Sequence, residues 1–217
     1  TADKWAEDAD YLVNKMAEIH INPYNKTSRE SFELQAQILK SKLKNMSDNE
    51  AICEIAKLTA LIGDGHTAVN IFGYHGSVNT GGVNFHVFPV KLYFFSDGLF
   101  VTGSAPEYEK LKGTKVLKIN DMNINDITEK FKPLVPSDNE YSLKFNLPYY
   151  MVVSELLNGL GIINDPAEME LTVLDNSGIE KKIKINSVEL KNIKHHSGSS
   201  VIVICLYISK MIQKITG

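Results

Sequence analysis

The chain has 217 residues, room for one or two domains. With 43% hydrophobic and 23% charged residues it has the composition of an ordinary globular protein. The net charge of -3 gives no basic footprint, so no nucleic-acid partner is expected. Arg29 is the only arginine among 23 lysines and arginines, which argues against a clamped phosphate or carboxylate. No run reaches the ~18 apolar residues that a membrane span requires.

Residues 2–20 carry Trp5, Ala9, Leu12, Met16 and Ile19 at steps of three and four, which predicts an amphipathic helix. Pro23 breaks the pattern by disfavouring helix at Asn22. Thr27 with Glu30 has the spacing of a capping box, and Phe32, Ala36, Leu39 and Leu43 predict a second helix behind it. Ser47 with Glu50 repeats the device before Ile52, Ile55, Thr59 and Ile62. Three helices with short connections predict an antiparallel bundle.

The pattern changes at Gly63. Residues His66 to Phe72 alternate loosely like a strand, and the glycine-rich stretch 73–84 predicts a loop or flap. Phe85 to Phe95 is β-rich, with Pro89 marking an edge or bulge. Ser96-Asp97-Gly98 is a hairpin signal between that segment and Leu99–Thr102. Lys115–Ile119 predicts a strand and Asp126–Phe131 a short helix. Ser137-Asp138-Asn139-Glu140 opens a helical stretch that Pro148 interrupts and Gly159 and Gly161 end. Met169, Leu171 and Val173 alternate with polar residues, and Asn176-Ser177-Gly178 turns the chain toward Ile183 and Ile185.

Cys53 lies in a helical pattern and Cys205 in an apolar run, so both read as small buried hydrophobes, with a disulfide between them left open. Asp64, His66, His75 and His86 lack the spacing of a zinc site, and the adjacent His195 and His196 read as an exposed loop. No metal and no cofactor is expected.

Gly63-Asp64-Gly65-His66-Thr67 is the most informative stretch. Glycines on both sides of Asp64 allow turn geometries closed to other residues, and such a turn can fix an imidazole after a helix. If the third helix ends at Gly63, its last carbonyls favour a protonated ring nearby. One reading is a general base; the other is a helix end followed by a partly exposed histidine.

The chain resembles the N-terminal part of the tail-specific, or carboxyl-terminal-processing, serine peptidases, a family that includes tricorn-like enzymes. The resemblance rests on Trp5 and Leu12 in the opening helix, His20-x-x-Pro23-Tyr24, Ser28 and Phe32, Ser47-x-x-Glu50, and Leu61 to Thr67. It continues through Phe88-Pro89, Asp97 to Val101, and Gly113 to Asn120, and covers roughly residues 1–185. It implies that His66 is the general base, supported by the turn of Gly63, Asp64, Gly65 and Thr67, and that it takes the proton of a serine hydroxyl. Other branches of the family use a lysine as base. The resemblance also implies a PDZ-like domain, in which Gly113 to Asp121 replaces the usual Gly-Asp-x-Ile-x-x-Ile-Asn segment. Such a domain binds a polypeptide substrate or protein C-terminus as an added strand.

None of the serines sits in a Gly-x-Ser-x-Gly elbow. In the family the nucleophile lies downstream of the PDZ-like part, so the chain is expected to be a truncated, inactive piece of an exported peptidase. The beginning at Thr1 without Met fits a mature exported protein or a trimmed chain. A one-base insertion in a plausible coding of Lys210 onward restores Lys-Asn-Asp-Thr-Lys-Asn-Tyr-Trp, which resembles the family, so a frameshift is one expectation and an artificial boundary the other.

The expected fold is α+β: a three-helix bundle over 1–66, a glycine-rich connector over 67–84, a PDZ-like β-rich domain with a helical insertion over 85–186, and a tail over 187–217. The apolar run 201–207 is expected to drive homo-oligomerisation. The alternative function is a non-catalytic PDZ-like module that binds peptides or proteins.

Overall fold

The structure, a computed structural model, describes residues 1–69, 71 and 84–192. It is a mixed α+β fold with antiparallel sheets. The glycine-rich residues 73–83, His75, His195, His196, Cys205 and the apolar run 201–207 lie outside the described residues. No described helix is long and apolar enough to cross a membrane.

Helix α1 (Ala2–Ile19) buries Ala9, Leu12 and Met16, the middle of its sequence stripe. Helix α2 (Arg29–Lys42) buries Phe32, Ala36 and Leu39. Its cap is Ser28, not Thr27: the Ser28 hydroxyl accepts from the Ser31 N–H at 3.1 Å. The helix begins one residue later than a Thr27–Glu30 box requires, and the capping side chain must precede the first helical residue. Helix α3 (Asp48–Ala60) has the expected box, with Ser47 N–H donating to Glu50 Oε2 at 2.7 Å and Glu50 N–H donating to Ser47 Oγ.

The three helices share a core of Ala9, Leu12, Met16, Phe32, Ala36, Leu39, Leu43, Ala51, Leu58 and Ile62. Another face of α3 sends Ile52, Cys53 and Ala56 into a second, larger core that contains the sheet. Helix α3 is thus the wall between the two cores. Each fully buried aliphatic side chain on it contributes about 1.5–3 kcal/mol.

The larger core lies under an antiparallel sheet. Strand β1 (His86–Val87) stands apart from it; β2 (Val90–Phe95), β3 (Gly98–Ser104), β4 (Lys115–Ile119), β5 (Met122–Asn123), β6 (Glu168–Leu174) and β7 (Glu180–Asn186) build it. The order is β2-β3-β4-β6-β7, with β5 folding back on β4. Strand β2 is an edge, Pro89 immediately precedes it, and its register with β3 shifts between Lys91 and Leu92. Proline has no N–H for a ladder, so this position suits it. Met169, Leu171 and Val173 of β6 are buried, as their alternation requires. Strand β1 pairs with β8 (Val188–Glu189), with His86 opposite Glu189.

Three helices lie between the strands. Helix α4 (Ile124–Phe131) begins two residues earlier than expected. Helix α5 (Glu140–Tyr150) carries Pro148 within its last turn, and ends two residues after it. The proline therefore weakens the helix end by removing one donor rather than splitting the helix. Helix α6 (Ser154–Gly159) packs on α3.

Residues 66–69 and 71 form no strand, contrary to their loose alternation. Local turns use the backbone donors instead: Thr67 N–H goes to the Asp64 carbonyl at 3.1 Å and Ile71 N–H to the Val69 carbonyl at 3.0 Å. Short alternation cannot fix a strand where backbone groups are satisfied locally.

Candidate functional site

Helix α3 runs out through Leu61 and Ile62 into Gly63, whose φ of 70° is left-handed. Gly63 N–H donates to the Ala60 carbonyl at 2.9 Å, which closes the helix end. A Cβ on Gly63 would also lie 2.3 Å from Cδ of Lys26 and displace that side chain, while the left-handed backbone itself favours glycine.

The Asp64 carboxylate then organises the turn. Its Oδ1 accepts the His66 backbone N–H at 2.8 Å, and its Oδ2 accepts the Thr67 hydroxyl at 3.2 Å. Oδ2 also lies 2.9 Å from Nε2 of His20, which caps the end of α1. Nδ1 of His20 accepts the Asn22 N–H at 3.1 Å, so the proton of that ring is on Nε2 and points at Asp64. Burial works to raise the Asp64 carboxyl, but the bonds from His66, His20 and Thr67 outweigh it and hold the group below the usual carboxylate range.

A third segment closes the site. Gly65 is buried, and its N–H donates to Oδ1 of Asp138 at 3.0 Å. A Cβ on Gly65 would lie 2.5 Å from Oδ2 of the same carboxylate. Asp138 is fixed in turn by α5: its N–H donates to the Ser142 hydroxyl at 3.1 Å, next to the Asn139 cap. Three chain segments, around residues 20, 64 and 138, thereby meet at one turn.

His66 stands exposed at the outer edge of this turn, and Thr67 is buried behind it. Among the described residues no hydrogen bond or ion pair reaches the His66 ring. The turn therefore fixes the backbone of His66 and leaves its imidazole facing outward. Asp64 holds that backbone and does not touch the ring, so it cannot play the acid that orients an imidazole in a triad. His20 has both nitrogens bonded and is a structural group, not a free base. The Gly63–Thr67 turn is legible in the sequence, whereas the joining of His20 and Asp138 to it is not. The His20-x-x-Pro23-Tyr24 segment was the only signal for the first, and nothing local marked Asp138.

A second imidazole is held differently. His86 Nδ1 lies 2.8 Å from Oε1 of Glu155, and the His86 N–H reaches both oxygens of that carboxylate at 3.0 Å. Cys53 is buried among apolar groups, and that burial pushes its thiol up to about 12, so it is an inert core residue. No cluster of three or more His, Cys, Asp or Glu able to hold a metal occurs among the described residues.

No protein-family model matches the chain, and no curated protein matches it by sequence. Solved structures do match its fold. A serine-to-alanine mutant of CPAF aligns with a TM-score of 0.60 and 11% identity, over 87% of this chain and 34% of that one. Mature CPAF complexed with lactacystin gives 0.60 and 12%, over 86% and 35%. Mature CPAF gives 0.55 and 11%, over 83% and 35%. This chain spans about a third of the length of the structures it matches. At these identities the likeness is one of fold.

Proposed function

We propose that this chain is the base-bearing and substrate-recruiting part of a serine endopeptidase of the tail-specific kind. The fold it shares with CPAF, a chlamydial serine protease related to tail-specific proteases, supports a protease-related part. The observation that carries the reading is the turn at Gly63–Thr67, whose backbone is tied from three directions while the His66 ring stays exposed. In this reading His66 accepts the proton of a serine hydroxyl as that oxygen attacks a peptide carbonyl. The serine and the oxyanion donors come from outside the described residues. Residues 1–66 act as a helical support, and 85–186 as a PDZ-like domain that receives an extended polypeptide.

Two experiments test it. A fluorophosphonate probe leaves this chain unlabelled, because none of its serines sits in a Gly-x-Ser-x-Gly elbow; labelling at any serine refutes the assignment. In a peptidase that contains this segment, His66→Ala lowers kcat by roughly 10⁴–10⁶, the range lost when a triad member is removed. Full activity in that variant removes His66 from the mechanism.

The edge position of β2 supports a second reading, a peptide-binding module without chemistry. Tyr93 and Phe95 are exposed on that strand, which pairs with β3 alone among the described strands, and an incoming peptide strand would add to its other edge. Saturable binding of short peptides, together with no effect of His66→Ala in any peptidase context, selects this reading.

A further inference from the structure

Among the described residues no carboxylate meets the exposed His66 ring, whereas the His86 ring has a carboxylate on one nitrogen. The Glu155 side chain is only 10% exposed and the His86 ring 39%. Glu155 sits in the first turn of α6, beneath β1. Both its oxygens accept the His86 backbone N–H, and Oε1 also meets Nδ1 of the ring. A carboxylate whose contacts are all with donors leaves Nδ1 as the donor of the remaining bond. The lone pair of the neutral ring is then on Nε2, on the side away from the buried acid. Nothing else among the described residues bonds that ring. Two further contacts fix β1: the Phe88 N–H donates to the Val152 carbonyl at 2.9 Å, and β8 pairs on the other side with Glu189 opposite His86. The Glu189 carboxylate is itself engaged with Lys191 at 2.8 Å.

We propose that His86 and Glu155 form a second proton-accepting centre, whose accepting atom is Nε2 of His86. This centre uses neither His66 nor a serine. A donor that gives its proton to Nε2 keeps the electron pair of the broken bond. The imidazolium so formed still donates Nδ1–H to Glu155, whose negative charge lies against the new positive one. A buried carboxylate that fixes the tautomer and then stabilises the cation is what an imidazole base needs.

The test uses the whole chain and the electrophile diethyl pyrocarbonate. Nε2 attacks its carbonyl carbon, the new N–C bond displaces ethyl carbonate, and the ring loses its Nδ1 proton to Glu155. Mass spectrometry reads the rate at each histidine separately. Glu155→Gln should slow modification of His86 by about tenfold, because the carboxylate's negative charge stabilises the positive charge that builds on the ring as Nε2 attacks, and a neutral amide does not. An unchanged rate at His86 in that variant overturns the proposal. Nitrogen NMR of the unsubstituted protein gives a check that needs no variant. A proton on Nδ1 and none on Nε2 of the neutral His86 ring supports the centre; the opposite tautomer overturns it.

Discussion

Nε2 of His20 lies 2.9 Å from Oδ2 of Asp64, a contact across 44 positions that joins the end of α1 to the turn after α3. Because Asp64 also bonds His66 and Thr67, its charge is the centre of the turn. Asp64→Asn keeps the shape and loses the charge, and should destabilise the fold by about 1–3 kcal/mol near neutral pH. The pH dependence has a definite sign. The folded-state carboxyl is held below its ordinary 3.8, so its contribution is complete above that value and disappears as pH falls through the lower folded one. Urea unfolding at about pH 7 and in acid measures both. Equal stability of the two proteins near neutrality refutes the role given to Asp64.

Gly65→Ala tests the other anchor. Its Cβ would fall 2.5 Å from the Asp138 carboxylate, which must swing away and release the Gly65 N–H. Losing one charge-assisted hydrogen bond costs about 1.5–3 kcal/mol. Amide hydrogen exchange at Gly65 and His66 should accelerate while the sheet amides do not change. Unaltered exchange at both positions would show that Asp138 does not hold the turn.

The glycine at 63, the box at Ser47 and the strands Lys115–Ile119 and Met169–Val173 were legible because each depends on neighbours in sequence. The cap of α2 lies one residue beyond the expected one, because Thr27 and Ser28 are both good caps and the spacing to Glu30 does not choose between them. What holds the candidate site was much less legible. His20 and Asp138 reach it from 44 and 73 positions away, and neither lies in a pattern whose period points there. The same holds for Glu155, which meets His86 across 69 positions. Polar pairs between distant loops have no periodicity to read, whereas an apolar stripe does.

Cys53 should be unreactive in the folded protein. Burial raises its thiol to about 12, so almost no thiolate is available near neutral pH, and the side chain is 1% exposed. Iodoacetamide alkylation, followed at the Cys53 peptide by mass spectrometry, should appear only across the denaturant range in which the protein unfolds. Rapid alkylation of the native chain at Cys53 would place that thiol at the surface and contradict the larger core.

Gly159 decides how closely α6 approaches α3. A Cβ there would lie 2.2 Å from the Asn49 carbonyl oxygen, 2.6 Å from its carbon and 2.8 Å from Sγ of Cys53. Two of these atoms are backbone in the first turn of α3, which its capping box holds in place, so no side-chain rotation relieves the clash. Gly159→Ala must push the helices apart and strain the bond between Asn49 Nδ2 and Asn158 Oδ1, now 2.8 Å. Overpacking of this kind costs about 1–3 kcal/mol. Since α3 borders both cores, the loss should appear in the helical and sheet signals together, as one cooperative transition at lower denaturant. A variant as stable as the parent would mean that the two helices do not meet at this glycine.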